Sequence, residues 1–273
     1  MFPVLFKIGS TTIYSWGFFL GLAYLAGTFI FWREGKRQGY NEEKLFDFSI
    51  FALIAALVGG RALFVILNWD LFRDDQILAF YFWQGGYAYY GALLLVFLIS
   101  LYLVRVWRWS FFQIADIASL SGLAALSIGS IGAFLAGLNF GKLSSLPWAV
   151  TFPSLLGARH PVQLYEATSY FLLFLILYIL YFKNLAGTNM KSGKVFFSFL
   201  ILSSLVQVIT AYFHAQITYL GPVPLNSAIS GAIAILSIVA LYYLQIRDIR
   251  NDVRVFLKTL FVLNWRILRR LKF

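Results

Sequence analysis

The segment "ARHPVQLYE" at residues 158–166 gathers chemically capable side chains at the start of a long apolar run. His160 carries an imidazole, which titrates near neutral pH, and Arg159 carries a planar, permanently charged group that suits phosphate. Pro161 fits the first turn of a helix, where its missing N–H matters least, so Glu166 falls within the first two turns. Two interpretations stay open: a helix start held by an Arg159–Glu166 pair, or a site for an anion or a lipid headgroup.

A second ionisable residue lies well inside an apolar run. Arg61 stands in "LVGGRALFVILN" (57–68), directly after two glycines. A charge within a membrane-spanning helix costs roughly 2.5–3.5 kcal/mol on insertion scales and usually faces a cavity or a partner. Arg61 could bind phosphate, or it could be structural, reaching to the interface or pairing with a carboxylate.

Two glycine-rich stretches accompany these residues. "FWQGGYAYYGALLL" (82–95) is typical of an aromatic belt at a membrane entry, or of a broken segment that lines a lipid pocket. In "SIGSIGAFLAGLNFG" (127–141) the small residues Gly129, Gly132, Gly137 and Gly141 predict close helix packing.

The elements that position these residues are membrane-spanning helices. Of the 273 residues, 61% are hydrophobic and only 12% are charged, whereas soluble domains average about 25% charged residues. Seven runs can each form a helix near the length of a bilayer crossing; they lie near 11–32, 46–68, 90–104, 112–138, 166–182, 195–213 and 227–246. We therefore predict an all-α, polytopic membrane protein with one transmembrane domain, residues 1–246, and a tail, residues 247–273.

The net charge of +11 predicts the orientation of the chain. One set of alternate loops and the tail carry most of the basic residues, among them Arg33, Lys36, Arg37, Lys44, Arg105, Arg108, Lys183, Lys191 and Lys194. The opposite loops hold only Lys7, Arg73, Lys142 and Arg159. The positive-inside rule then places the N-terminus outside and the tail in the cytoplasm. Because the charge is a topology signal, we expect no nucleic-acid partner.

The tail predicts an interfacial helix. In "RVFLKTLFVLNWRILRRLKF" (254–273) the basic residues fall mostly on one side of a helical wheel and the leucines on the other. Such a helix lies in the interface and is attracted to anionic lipid. The alternative is a disordered or partner-binding tail.

Several classes of site are excluded or unsupported. The chain has no cysteine, which rules out disulfides and a protein thiol nucleophile. No His/Asp/Glu cluster has metal-ligand spacing, so we expect neither a metal nor a cofactor. The first segment has no charged leader and no obvious cleavage site, and we expect it to be structural.

"RHPVQLYE" resembles the Arg-His-Pro-x-Gln-Leu-Tyr-Glu signature of the prolipoprotein diacylglyceryl transferase family. Further stretches resemble family segments in the same order: "PVLFKIGSTTIYSWG", "GGRALFVILN", "FWQGGYAYYG", "WSFFQIAD" and "PWAVTFP". The resemblance covers about residues 3–245.

The resemblance implies a seven-helix enzyme of the bacterial plasma membrane. The family moves a diacylglyceryl group from phosphatidylglycerol to the lipobox cysteine of a preprolipoprotein and releases glycerol phosphate. The resemblance implies catalytic roles for His160 and Tyr90. It also implies phospholipid contacts at Arg61, Asn68, Arg159, Gln163, Tyr165 and Glu166.

The chain departs from the family pattern at several site positions. Tyr90 stands where the family has histidine, and Trp16 stands where it has tyrosine. Charged and amide residues of the family's fourth and sixth helices are replaced here by Ser130, Ala133, Ala136, Leu138, Gln207, Ala211 and His214.

Three functions therefore stay open. The first is diacylglyceryl transfer with a rearranged site around Arg61, Arg159 and His160. The second is a catalytically inactive relative that binds anionic phospholipid, lipoprotein precursors or another membrane protein. A transporter or channel is the third, and the few charged residues within the spans disfavour it.

Overall fold

Seven long helices dominate the part of the chain that the computed structural model describes, namely residues 2–9, 11–153, 155–186, 192–215, 219–220 and 223–245. They are α1 (Ser15–Arg37), α2 (Glu42–Leu67), α3 (Tyr89–Val106), α4 (Phe111–Ala136), α5 (Val162–Ala186), α6 (Lys194–Ala211) and α7 (Leu225–Gln245). Each is long and apolar enough to cross a membrane. The prediction of an all-α protein with seven spans is confirmed.

Some helices begin before the apolar runs that predicted them, because polar residues form their first turns. The α2 helix starts at Glu42, where the Asn41 side chain accepts a hydrogen bond from the Lys44 N–H (3.0 Å). The α5 helix starts at Val162, directly after Pro161.

Short strands and turns gather at one end of the helices. Three antiparallel two-stranded pairs are formed by β1 (Val4–Ile8) with β2 (Thr11–Tyr14), β3 (Val150–Thr151) with β4 (Ala158–Arg159), and β5 (Tyr219–Leu220) with β6 (Val223–Pro224). Three 3₁₀ turns cover Trp69–Leu71, Gln76–Phe80 and Phe82–Gln84. Because successive spans alternate in direction, all these elements lie at one end, the hairpin end. The opposite end, the basic end, carries Arg33, Lys36, Arg37, Arg105 and Arg108.

The buried core follows α4, which packs against α1 and α5. Ile117, Leu120 and Leu123 on α4 are fully buried. Many apolar side chains on the outer helix faces are instead exposed, such as Leu94 and Leu236. Soluble monomers rarely expose apolar surface on this scale, so the outer faces fit lipid and the chain is a multi-pass membrane protein.

Glycines permit close helix contacts at some of the predicted positions. A Cβ on Gly59 of α2 would lie 2.5 Å from the carbonyl oxygen of Gly91 on α3, and a Cβ on Gly132 would meet Phe19 of α1. No described residue from a neighbouring element lies within 4 Å of a Cβ at Gly129. The packing interpretation is right for Gly132 and wrong for Gly129.

A buried carboxylate fixes the start of α6. Asp116 on α4 is 5% exposed, and it accepts hydrogen bonds from the backbone N–H groups of Gly193 and Phe196, both at 2.7 Å. The first N–H groups of a helix have no partner within the helix, and a nearby negative charge suits the helix dipole. Asp116 therefore caps α6 from a neighbouring helix.

Residues 246–273 lie outside the described residues. The basic tail helix, the domain boundary at residue 246 and the orientation of the termini all stay predictions.

Candidate active site

The segment that contains "RHP" is held in a small backbone network at the hairpin end. The N–H of His160 donates to the Lys142 carbonyl (3.0 Å), and the Lys142 N–H donates to the Phe213 carbonyl (2.8 Å). A Cβ on Gly141 would collide with the backbone of His160. The chain after α4 thus passes between the start of α5 and the end of α6, and it fixes the backbone of His160.

His160 faces a cavity of about 410 Å³ between α5 and α6. The lining residues are Leu146, Trp148, His160, Tyr165, Ser169, Val206, Ile209, Thr210 and Phe213. The volume falls in the range of small-molecule pockets, about 300–1,000 Å³. A mostly apolar wall with few polar groups suits a lipid whose reactive atoms lie next to the imidazole.

Tyr165 connects His160 to the loop that covers the cavity. Its hydroxyl accepts a hydrogen bond from Trp148 Nε1 (2.8 Å) and lies 3.4 Å from His160 Nδ1. The His160 ring also packs against Phe213, with 5.0 Å between ring centroids. These contacts orient the imidazole.

Glu166 has a different partner from the one the sequence suggested. Its Oε1 lies 3.1 Å from His214 Nε2, and both side chains are about one-fifth exposed (20% and 22%). Arg159 instead donates from Nη1 to the Gly141 carbonyl (3.2 Å). The interpretation of the helix start as an Arg159–Glu166 pair is therefore wrong. The end of α6 brings His214 to Glu166, and the chain after α4 supplies the partner of Arg159.

Two buried polar atoms beside this network have no hydrogen-bond partner among the described residues: Arg159 Nε and Gln163 Oε1. Arg159 also lies over the ring of Phe140 (5.3 Å), and fully buried Gln163 donates to the Leu138 carbonyl. Unpaired buried polar groups are costly and rare. Arg159 and Gln163 therefore retain hydrogen-bonding capacity for a ligand.

Arg61 organises the chain between α2 and α3. Arg61 is 4% exposed, and its guanidinium donates to the backbone carbonyls of Leu78 (2.6 Å), Ala79 (2.9 Å), Gly86 (3.2 Å) and Gly85 (2.5 Å). Arg61 pairs with no carboxylate among the described residues, so the carboxylate alternative is wrong, while its reach to the membrane interface stays a prediction. Its binding to phosphate stays a prediction without a contact that supports it.

The glycine-rich segment before α3 runs alongside α2. The Ala88 N–H donates to the Gly60 carbonyl (2.9 Å), and Gly60 precedes the end of α2 at Leu67 by about 10 Å of helix. Non-helical backbone at membrane depth needs protein partners for its polar groups. Arg61 supplies hydrogen-bond donors to the Gly85 and Gly86 carbonyls. This favours the interpretation of residues 82–95 as a broken segment over that of a simple aromatic belt.

Asn68 ends α2 and belongs to the Arg61 region. Its Nδ2 donates to the Phe64 carbonyl (2.9 Å). No hydrogen bond or ion pair between described residues joins Arg61 or Asn68 to Arg159 or His160. The lipid contact proposed for Asn68 stays a prediction.

Two of the substituted positions form neutral hydrogen bonds to α7. Tyr90 Oη donates to Asn226 Oδ1 (2.8 Å), and Gln207 Oε1 accepts from Ser230 Oγ (2.9 Å). These pairs hold α3 and α6 to α7. The geometry gives Tyr90 a positioning contact, while its catalytic role remains a prediction.

Apart from His214, the remaining substituted positions have side chains that cannot carry a charge. Ala133 is buried in the core, Ser130 and Ala136 are half-buried, and Trp16 is 37% exposed at the start of α1. His214 is the one substituted position with an ionisable imidazole.

Comparison with known proteins decides the family. The family model described as prolipoprotein diacylglyceryl transferase matches residues 3–243. The chain belongs to the prolipoprotein diacylglyceryl transferase family. Its relatives include a phosphatidylglycerol–prolipoprotein diacylglyceryl transferase of Trichormus variabilis, 29% identical over 254 residues and 90% of both chains. The Nostoc enzyme of that name is 30% identical over 90% of both chains. In Clostridium perfringens, transferase 2 is 32% identical over 74% of this chain and 79% of its own.

Membership in the transferase family is consistent with the residues that the cavity brings together. His160 and Tyr165, both in the family-like "RHPVQLYE" segment, line the same cavity. Arg159 and Gln163 each hold a buried atom without a hydrogen-bond partner among the described residues. Sequence analysis missed the partners that reach this segment from elsewhere: Trp148, Phe213, Asn226 and Ser230. Asn226 was signalled by its polarity at the start of a span, and Trp148 by its place in the family-like segment "PWAVTFP". Phe213 had no such signal.

Proposed function

We propose that this protein transfers a diacylglyceryl group from phosphatidylglycerol to the lipobox cysteine thiol of preprolipoproteins. Family membership supports the reaction class. The observation that carries the proposal for this chain is the cavity between α5 and α6, into which His160 and Tyr165 face.

The proposed reaction is a displacement at the carbon of the diacylglyceryl group that is bonded to a phosphate oxygen. The substrate thiolate sulfur forms a bond to this carbon as the C–O bond to phosphate breaks. The thiol proton passes to a base, and the phosphate leaves as glycerol phosphate. Because a free thiol has a pKa of about 8.5, a base near the sulfur raises the thiolate fraction.

His160 is the base we propose. His160 Nδ1 lies 3.4 Å from the Tyr165 hydroxyl, which accepts a hydrogen bond from Trp148. We propose the tautomer in which Nδ1–H donates to this hydroxyl, because it leaves Nε2 able to accept the thiol proton. His214 is the weaker candidate because its Nε2 is already in contact with Glu166 (3.1 Å). We assign the departing phosphate to Arg159, whose buried Nε has no partner among the described residues.

The experiment is a product assay. Purified protein in phosphatidylglycerol liposomes is incubated with a lipobox peptide, and mass spectrometry detects the diacylglyceryl thioether. We expect product well above a no-protein control, and His160→Asn to lower the rate about 10²–10⁴-fold, as for removal of a general base. His214→Asn tests the other imidazole, and Lys44→Gln at the basic end is the matched control. A larger loss in His214→Asn than in His160→Asn would move the base to His214.

A catalytically inactive relative is the second candidate, favoured by the neutral pairs at Tyr90 and Gln207. It predicts a folded protein that binds phosphatidylglycerol but forms no thioether. If the wild type is inactive, the double variant Tyr90→His/Ser130→Arg, which restores two of the family's side chains, should form thioether. If the wild type is active, the same variant should raise its rate of thioether formation little.

We also propose the setting of the reaction. The protein lies in the bacterial plasma membrane with the hairpin end outside, as the distribution of basic residues indicates. The basic tail, residues 247–273, would bind anionic lipid at the cytoplasmic surface.

A further inference from the structure

A second cavity lies at the basic end, between the last turns of α3 and the first residue of α4. Its volume is about 400 Å³. It is lined by Leu101, Val104, Arg105, Arg108, Trp109 and Phe111. This cavity is at the opposite end of the helices from His160, so it takes no part in the proposed reaction.

The two arginines of this cavity have no acidic partner among the described residues. The basic residues in the last turns of α1 form ion pairs with Glu34 or Glu42: Arg33, Lys36 and Arg37. Arg105 and Arg108 are exposed and form no ion pair with any described residue. Their charges are available to an anion.

Arg108 is held in an unusual backbone conformation. Its φ is +57°, in the left-handed region, and the next N–H, from Trp109, closes the end of α3 on the Val104 carbonyl (2.9 Å). Glycine usually occupies this position after a helix, because a Cβ is disfavoured there. A strained residue of this kind points to a role for its side chain.

The cavity has the layered polarity of a phospholipid. The Trp109 ring packs against Trp107 (4.8 Å) and Tyr40 (4.9 Å), and such aromatic clusters mark the headgroup level of a membrane. Arg105 stands one helical turn beyond apolar Leu101. The cationic part of the cavity therefore lies at headgroup depth and the apolar part lies towards the acyl chains.

We propose that this cavity binds one anionic phospholipid from the adjacent leaflet. Arg105 and Arg108 hold its phosphate, and Leu101, Val104 and Phe111 contact an acyl chain. Two cations against one phosphate favour a lipid with net negative charge over a zwitterionic lipid, whose own ammonium group would be repelled.

Photocrosslinking tests the proposal. Full-length protein in phosphatidylcholine nanodiscs receives a small fraction of phosphatidylglycerol with a photoreactive acyl chain, and peptide mass spectrometry maps the adducts. We expect adducts in residues 93–111. The double variant Arg105→Gln/Arg108→Gln should lower these adducts about tenfold or more, since hydrogen bonds to charged groups are worth at least one decade of affinity. Adducts near residues 158–170 should be unchanged.

Controls separate the lipid site from general charge effects. The double variant Lys44→Gln/Lys183→Gln removes two positive charges from the same end outside the cavity, and it should keep the adducts. An excess of inorganic phosphate should not displace the probe. Equal loss in the control variant, equal labelling by a phosphatidylcholine probe, or displacement by phosphate would each overturn the proposal.

Arg108→Gly distinguishes binding from folding. Glycine relieves the left-handed strain, so the unfolding midpoint in phosphatidylcholine should stay equal or rise while phosphatidylglycerol adducts fall. A lower midpoint with full labelling would assign Arg108 to folding and overturn the proposal.

Discussion

At the residue scale, Arg61 shows how a membrane-spanning helix accommodates a charge through backbone partners. Its planar group donates in several directions at once, and the carbonyls of residues 78–79 and 85–86 accept. The charge satisfies a non-helical segment that lipid could not satisfy. A residue that looks like a phosphate ligand in the sequence is thus also a structural support.

Arg61→Ala should lower stability strongly, because each buried carbonyl left without a donor costs about 1–3 kcal/mol. Thermal unfolding in detergent measures the change in stability. We expect the free energy of unfolding to fall by at least about 3 kcal/mol if most of these carbonyls gain no hydrogen bond from water. Arg61→Lys should also be destabilised, since one ammonium cannot reach all the carbonyls.

The control for Arg61 is Arg73→Ala, which removes a 71% exposed side chain in a surface ion pair with Asp70 and should change little. Unchanged stability of Arg61→Ala together with lost phosphatidylglycerol binding would favour the phosphate role instead.

At the element scale, the connections between helices build both ends of the protein. The chain after α4 fixes His160, the segment before α3 lies along α2, and Asp116 secures the start of α6. These contacts hold the start of α5 beside the end of α6, where the cavity lies, and they fix α3 against α2 and the start of α6 against α4.

Asp116→Asn should loosen the start of α6. The amide keeps one acceptor but directs an NH₂ group at a backbone N–H, so we expect a loss of about 1–2 kcal/mol, as for a helix cap. Hydrogen exchange should rise at residues 193–197. Asp47→Asn, an exposed carboxylate on α2, is the control, and equal exchange in both variants would contradict the capping role.

At the scale of the whole molecule, the two ends differ in chemistry. The hairpin end holds the cavity with His160 and few basic residues. The basic end holds Arg33 and Arg37, which pair with Glu34, and Arg105 and Arg108, which form no ion pair with a described residue. By the positive-inside rule, the end that is rich in basic residues is expected to face the cytoplasm.

Cysteine labelling tests this orientation directly, because the chain has no native cysteine. In whole cells a membrane-impermeant maleimide should label Ser144→Cys at the hairpin end, while Lys44→Cys should react only after permeabilisation. The reverse pattern would invert the topology and place the proposed reaction in the cytoplasm.

The sequence alone determined the seven helices and the segment that carries the candidate base. Hydropathy is a local property of about 20 residues, and the "RHPVQLYE" motif is contiguous. Both could therefore be predicted without knowing how the helices pack. The predicted ends of the helices were less accurate, because polar first turns such as the one after Asn41 extend beyond the apolar runs.

Only the tertiary structure decided which polar groups meet. Glu166 pairs with His214, 48 residues away, and Tyr90 with Asn226, 136 residues away. Arg61 binds carbonyls of a segment whose residue types gave no sign of it. Such partners depend on the distance and rotation between packed helices, which hydrophobic periodicity does not encode, and so the packing of α5, α6 and α7 determines the site.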